Sequence, residues 1–398
     1  MSIPITRPFF DEQEREMILK PLETGWVTQG PYVAEFERLF HEFINGRNAV
    51  AVSNCTAALH LSLIALGVGC GDKVILPSFT YVASANAIEY TGAEVVFCDI
   101  DLRTFNINTK EIEELLSKDK DMKIKALMPV NLFGLCADLT KIVEVSENHN
   151  IRVVEDSACG FGAYLDNKHS GTFGNVGCFS FHPRKSITTG EGGMVISDDE
   201  NIIEKVKSLR DHGAEKSDFL RHKERGGALL PDFNCKGYNY RMTDLQGAIG
   251  VCQMKKASHI LSKRCEIAKR YDEELKDIDE LITPSTPNGS IHGYQSYVCL
   301  FTNGEDTSEL DIEQIDRLNI LRNTFMGQLE ERGVATRQGT HAVHTLGYYK
   351  NRYNLGNDKY LQSYAADRLS VALPIYAEMK EADMGIIVSA IKDYLKGK

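Results

Sequence analysis

Lys73-Val74-Ile75-Leu76 is a short apolar run, Val82-Ala83-Ser84-Ala85-Asn86-Ala87-Ile88-Glu89-Tyr90 is helix-like, and Glu94-Val95-Val96-Phe97-Cys98 is apolar and β-rich again. Strand, helix and strand at this spacing make a crossover unit, which places two strands parallel in one sheet. The rhythm extends in both directions. Further strands are expected at Ala49–Ser53, Lys125–Val130 and Ile151–Val154, with helices at Ala57–Leu66, Lys110–Ser117 and Leu139–Ser146. Then it breaks. Gly177–Phe181 and Gly193–Ser197 read as two strands joined by a Thr/Gly loop with no long helix between them. The sheet is therefore expected to be mixed and mostly parallel, with this pair near one end.

Beyond the sheet, apolar positions Leu245, Ile249, Cys252 and Met254 recur at helical spacing, and one long helix is expected over Asp244–Asp277. Pro284–Gly293 is the best candidate hinge. A smaller α+β domain would follow, with a strand at Tyr297–Phe301 and helices near Ile315–Arg332 and Ala382–Leu395. This divides an α/β protein into a large domain over 1–280 and a smaller one over 281–398. Residues 302–320 begin acidic and loop-like and are expected as an insertion.

Composition narrows the function classes. The chain has 398 residues, which suits two to three domains at about 150 residues each. Lys and Arg total 45 and Asp and Glu total 56, a net charge of -11. A nucleic-acid-binding surface needs a basic face, so that class is disfavoured. No apolar run approaches the roughly 20 residues of a membrane helix. The opening Met-Ser-Ile-Pro-Ile-Thr-Arg has no basic segment followed by an apolar one, as a signal peptide would. Ten cysteines without a C-x-x-C pair read as reduced thiols, and a cytoplasmic protein is expected. Eleven histidines show no metal-ligand spacing, so no metal is expected.

In open α/β sheets ligands bind beyond the carboxyl ends of the strands. After the first strand, Ser53-Asn54-Cys55-Thr56-Ala57 opens a helix, whose free N–H groups and dipole suit a phosphate. A plain N-cap is the commoner role for Asn54 or Thr56. After the fifth strand comes Glu155-Asp156-Ser157-Ala158-Cys159-Gly160. A carboxylate there is often a structural cap, as Asp99 is expected to be, but it is also how a protein keeps a pyridine nitrogen protonated. Third is Phe179-Ser180-Phe181-His182-Pro183-Arg184-Lys185, running into Thr189-Gly190-Glu191-Gly192-Gly193. Most lysines are solvated surface charges. One whose pKa is lowered by partial burial and nearby cations can form a Schiff base. The cluster Gly67-Val68-Gly69-Cys70-Gly71 ends a helix and leads into a strand, the reverse of a dinucleotide fingerprint. Each signal is weak alone. Together and in this order they are the contacts that pyridoxal 5′-phosphate needs.

These segments, with Gly25-Trp26-Val27-Thr28-Gln29-Gly30-Pro31, Pro77-Ser78-Phe79-Thr80-Tyr81 and Gly237-Tyr238-Asn239-Tyr240-Arg241-Met242, run nearly the length of the chain. In them the chain resembles the DegT/DnrJ/EryC1/StrS aminotransferases, enzymes of fold type I that act on nucleotide-linked keto sugars. The resemblance implies that Lys185 holds pyridoxal phosphate as a Schiff base and that Asp156 pairs with its ring nitrogen. Thr56, Ala57 and Ser180 would bind the phosphate, Tyr81 would stack on the ring, and Asn239 would reach the site of a neighbouring subunit in a homodimer. Cys55 stands where the family usually has Gly, and Cys159 where a Gln or His usually packs near the cofactor oxygen. Relatives with His in place of the lysine dehydrate, so Lys185 points to transamination, with glutamate as the implied donor. His182, Arg337 and His344 are candidate substrate contacts, though packing roles suit them equally. Amination of a non-nucleotide cyclic ketone and a non-catalytic cofactor-binding regulator are the alternatives.

Overall fold

The crossover rhythm builds one seven-stranded sheet. A computed structural model describes residues 2–216, 231–307 and 309–395. Its strands in chain order are β1 (Asn48–Val52), β2 (Lys73–Pro77), β3 (Glu94–Cys98), β4 (Ile124–Leu127), β5 (Arg152–Asp156), β6 (Val176–Ser180) and β7 (Gly193–Ser197). They lie side by side in the order β1-β7-β6-β5-β4-β2-β3. Only β7 runs against its neighbours, pairing antiparallel with β1 and β6, while the β6–β5, β5–β4, β4–β2 and β2–β3 pairs are parallel. The mixed, mostly parallel sheet expected from the sequence is therefore present, with the β6–β7 pair next to the β1 edge.

Helices cover both faces, so the central strands are buried on both sides and read as apolar runs. The first long helix, α1 (Pro31–Phe43), is followed by α2 (Cys55–Ala65) and α3 (Val82–Tyr90). Later comes a 32-residue helix, Asp244–Leu275, opened by a capping box between Thr243 and Gln246. Its Asp244 reaches back to α1, where Oδ1 accepts the Val33 N–H at 2.9 Å. Gly250 of the same helix lets Phe36 of α1 approach: a Cβ there would stand 2.8 Å from the ring. Phe36, Phe40, Phe179 and Phe181 form the core of that contact.

The C-terminal part has its own three-stranded antiparallel sheet, Leu281–Ile282, Tyr297–Phe301 and Ser370–Leu373. Helices Ile312–Glu331 and Glu381–Leu395 belong to this part. The expected insertion at 302–320 is a loop only up to Asp311, because Asp311 caps the helix that begins at Ile312. Ser308 of that segment and residues 396–398 of the expected second domain lie outside the described residues.

Two connections differ from the expectation. The Pro284–Gly293 segment is tied down: Ser290 and Ile291 pair with Leu165 and Tyr164, and the Gly293 N–H donates to the Gly134 carbonyl at 2.7 Å. A segment holding these backbone bonds is a strap and not a free hinge. The chain's start also crosses to the C-terminal part, where Ile3 bonds Gly333 and Ala335, and the Ile5 carbonyl accepts from Ile375.

Candidate active site

The carboxyl ends of β1, β5 and β6 converge on a cavity of about 770 Å³ between the large sheet and the C-terminal part. β5 ends in Asp156, which is 4% exposed. Its Oδ2 accepts the Ser84 hydroxyl at 2.7 Å and its Oδ1 accepts the Ala158 N–H at 3.0 Å. Burial is the largest influence on this carboxyl and pushes its pKa up; both hydrogen bonds and the charge of Lys185 oppose it. β6 ends in Ser180, and the turn after it is closed by the Lys185 N–H donating to the His182 carbonyl at 2.8 Å. Lys185 Nζ then stands 3.1 Å from Cys159 Sγ.

The lysine's surroundings correct one expectation. Burial is the largest single influence and lowers its pKa. The hydrogen bond to Cys159 and the Asp156 carboxylate oppose burial, and the net direction is upward. The neighbours that dominate are therefore electronegative, not the nearby cations the sequence suggested. Burial pushes the Cys55 thiol well up, so that residue is a neutral thiol at ordinary pH.

β1 leads into α2, whose N-cap Asn54 accepts the Ala57 N–H at 2.9 Å. The Ala57 N–H expected at the phosphate is thus engaged by Asn54, while Ala57 itself lines the cavity. The N–H groups of Cys55 and Thr56 are the ones that helix geometry leaves without an intrahelical acceptor. Thr56, Ser180 and Tyr81 line the cavity, and the Tyr81 ring is 58% exposed at its wall. Asn239 does not line it. It is exposed, with its backbone bridged to Asp211.

The family model for the DegT/DnrJ/EryC1/StrS aminotransferases matches residues 8–392. The chain belongs to this family. It is 33% identical to GDP-perosamine synthase of Caulobacter vibrioides, over 99% of this chain and 98% of the relative. It is 32% identical to the spore coat polysaccharide biosynthesis protein SpsC of Bacillus subtilis, over 99% and 97%. Among solved structures it is similar to the aminotransferase TlmJ from Streptoalloteichus hindustanus, with TM-score 0.86, 28% identity and 99% of each chain covered. It is also similar to the PLP form of Spr1654 from Streptococcus pneumoniae, with TM-score 0.88, 26% identity, and 100% and 99% covered.

The protein is thus a fold type I aminotransferase whose cofactor is pyridoxal phosphate. Its residues fit that group. A buried carboxylate whose hydrogen-bond donors are all neutral is costly alone, and a protonated ring nitrogen would compensate it. The start of α2 with Thr56 and Ser180 suits the phosphate, the open Tyr81 ring suits stacking, and Lys185 Nζ suits the aldehyde carbon.

Of the three candidate substrate contacts, one lies away from the cavity. His182 and Arg337 line the cavity. His182 Nδ1 accepts the Arg184 N–H at 3.2 Å, while burial lowers its pKa against the pull of Glu191. Arg337 is exposed, and its backbone exchanges hydrogen bonds with Ala372. His344 does not reach the cavity. It is fully buried, with Nδ1 2.6 Å from the Ser78 hydroxyl and its ring edge-on to Tyr360. The cavity histidine from that stretch is His341, because residues 341–342 pair antiparallel with Phe79–Thr80 next to Tyr81. Arg184 lines the cavity as well. An acidic protein thereby lines this cavity with Arg184, Arg337, His182 and His341. Ser84, which holds Asp156, had no signal in the sequence beyond its place in a helix. Among the described residues no three or more His, Cys, Asp or Glu side chains group to hold a metal, and no helix is long and apolar enough to cross a membrane.

Proposed function

We propose that this aminotransferase moves an amino group from glutamate to the keto group of a nucleotide-linked keto sugar, through a Schiff base at Lys185, as a homodimer with shared sites. The observation that carries the reading is that Lys185 and Asp156 line one cavity together with Arg184 and Arg337. A sugar joined to a nucleoside diphosphate is large and anionic, and paired arginines are the usual partners of phosphate oxygens. The GDP-sugar name of one relative agrees with that class. Exposed Asn239, outside its own cavity, agrees with a role in a partner's site.

When bound, the cofactor supplies an electron sink and carries the amino group between two half-reactions. The protein supplies the rest. Asp156 holds a proton on the ring nitrogen, in a pocket that excludes water from the carboxylate. Tyr81 would stack on the cofactor ring. Lys185, on its turn beside Cys159, would hold the cofactor and, once released, serve as the base and acid that moves the donor's α-proton. Arg337 and Arg184 would hold the anionic substrate.

The test begins with glutamate, which should bleach the visible absorbance of the lysine-bound cofactor. A panel of nucleotide keto sugars then meets the amine form, and one of them should restore the absorbance. Return of the absorbance with free cyclitol ketones alone would select the non-nucleotide substrate class, and binding of cofactor without any bleaching would select a regulator. Lys185→Ala should lose both the absorbance and all turnover; full activity in that variant would end the mechanism.

A further inference from the structure

Cys159 and Lys185 are brought together by backbone, not by chance side-chain contact. β5 and β6 are adjacent parallel strands, with Asp156 in register with Cys178. The turn closed by the Gly160 N–H on the Ser157 carbonyl lifts Cys159 from the end of β5, and the turn closed on His182 lifts Lys185 from the end of β6. Sγ and Nζ end 3.1 Å apart, and both residues line the cavity. Cys159 is only partly buried, whereas Cys55 and Cys178 beside it are buried. A sulfur that receives a hydrogen bond from a cationic donor, at the wall of an open cavity, is the setting in which cysteines react with peroxides.

We propose that Cys159 and Lys185 are the site of a reversible oxidative cross-link, a sulfur–nitrogen bond formed when a small hydroperoxide enters the cavity while Lys185 is free. The proposal rests on the reading of Lys185 as the residue that carries the cofactor in one half of the cycle. In the first step the sulfur attacks the peroxide, the O–O bond breaks, Cys159 becomes a sulfenic acid and the hydroperoxide leaves as its alcohol. In the second the Nζ lone pair attacks that sulfur, the S–O bond breaks, and water leaves with a proton from the nitrogen. The chain loses two hydrogens and one hydroperoxide is reduced. Two equivalents of a thiol reverse the bond and leave as a disulfide.

Burial favours a neutral Lys185 amine, the nucleophile the second step needs, and the hydrogen bond that Nζ donates to the Cys159 sulfur opposes it. Conversion of that sulfur to a sulfenic acid weakens the opposing contact. A cross-linked lysine cannot take up cofactor, so oxidation arrests the enzyme in its amine form, while the aldehyde form is protected because its lysine is occupied.

The experiment compares protein loaded directly with pyridoxamine 5′-phosphate and protein loaded with pyridoxal 5′-phosphate, each treated with hydrogen peroxide, digested and mapped by mass. The Cys159 and Lys185 peptides should be joined, with loss of two hydrogens, at least several-fold more in the first, and dithiothreitol should separate them. Cys159→Ser should yield no joined peptide and should keep more of its own untreated rate than the parent keeps. Recovery of Cys159 only as sulfinic acid, or only as a disulfide with Cys55, overturns the proposal. Borohydride reduction of the aldehyde-loaded protein reports separately whether Lys185 carries the cofactor. Equal cross-linking in both forms, with Lys185 shown to carry it, also overturns the proposal.

Discussion

Asp156 carries an electrostatic tension at the scale of one residue. Its donors are a hydroxyl and a backbone N–H, and burial raises its pKa. An acid whose folded pKa lies above its unfolded value is most favourable at low pH, and that advantage is lost as pH rises through the folded value. Without cofactor, Asp156 should therefore cost stability at neutral pH. Asp156→Asn is expected to melt higher than the parent at pH 7 when cofactor-free, with the difference shrinking toward acid pH. The same variant, loaded with cofactor, should lose about 100-fold or more in turnover, the scale expected when a preorganised charge is removed. A cofactor-free melting point below the parent's at pH 7 would contradict this account of the site.

At the scale of elements, the cofactor cradle depends on how closely two of them approach. Gly193 begins β7, and a Cβ there would stand 2.5 Å from the Asn54 carbonyl and 2.8 Å from the Cys55 nitrogen. The neighbours are backbone, so they cannot rotate away, and the start of α2 would have to move. Gly193→Ala is expected to destabilise the protein by about 1–3 kcal/mol, as overpacking does, and to weaken cofactor binding at least tenfold. Cofactor titration followed by fluorescence measures the second effect; an unchanged affinity would show that this contact does not position the cradle. Asp99 illustrates the same scale. It follows β3, and its carboxylate accepts from the backbone of Gln362 and Ser363 at the start of a helix 263 and 264 residues away along the chain. A cap was legible in the sequence, but not the helix it caps.

Over the whole molecule, buried histidines weaken the fold in acid, His169 and His292 most strongly. His169 accepts the Gly162 N–H on Nε2, and burial holds its pKa at about 4; burial takes His292 to about 3. A base with a depressed folded pKa supports the fold at neutral pH, and this support is lost as pH falls from the ordinary value of 6.5 toward the folded one. Each should cost about 2 kcal/mol on going from pH 7 to pH 5. Urea unfolding at the two pH values should show this loss, and His169→Gln with His292→Gln should remove most of it. An equal loss in the double variant would point to other groups. The shared-site dimer has its own test. Lys185→Ala and Asn239→Ala subunits, each impaired alone, should regain about a quarter of parental activity when unfolded and refolded together, because half the dimers would then hold one intact site. No regain would mean that Asn239 acts within its own chain.

The sequence by itself determined the sheet, its parallel character, the reversal at Gly193–Ser197, and the strand ends that carry Thr56, Asp156 and Lys185. These are local matters. Apolar periodicity and crossover spacing are written within a few tens of residues, and in such a sheet the carboxyl ends of the strands locate the ligand. Only the tertiary structure decided what arrives at those ends from far along the chain. Ser84 on Asp156, Cys159 against Lys185, and Arg337 at the cavity each depend on packing between distant segments. The choice of His341 over His344 turned on the pairing with Phe79–Thr80, which sets one histidine at the cavity and buries the other against Ser78 and Tyr360. Local pattern pointed to His344 alone, and the opposite placement of the two histidines came from backbone hydrogen bonds between segments more than 250 residues apart in the chain.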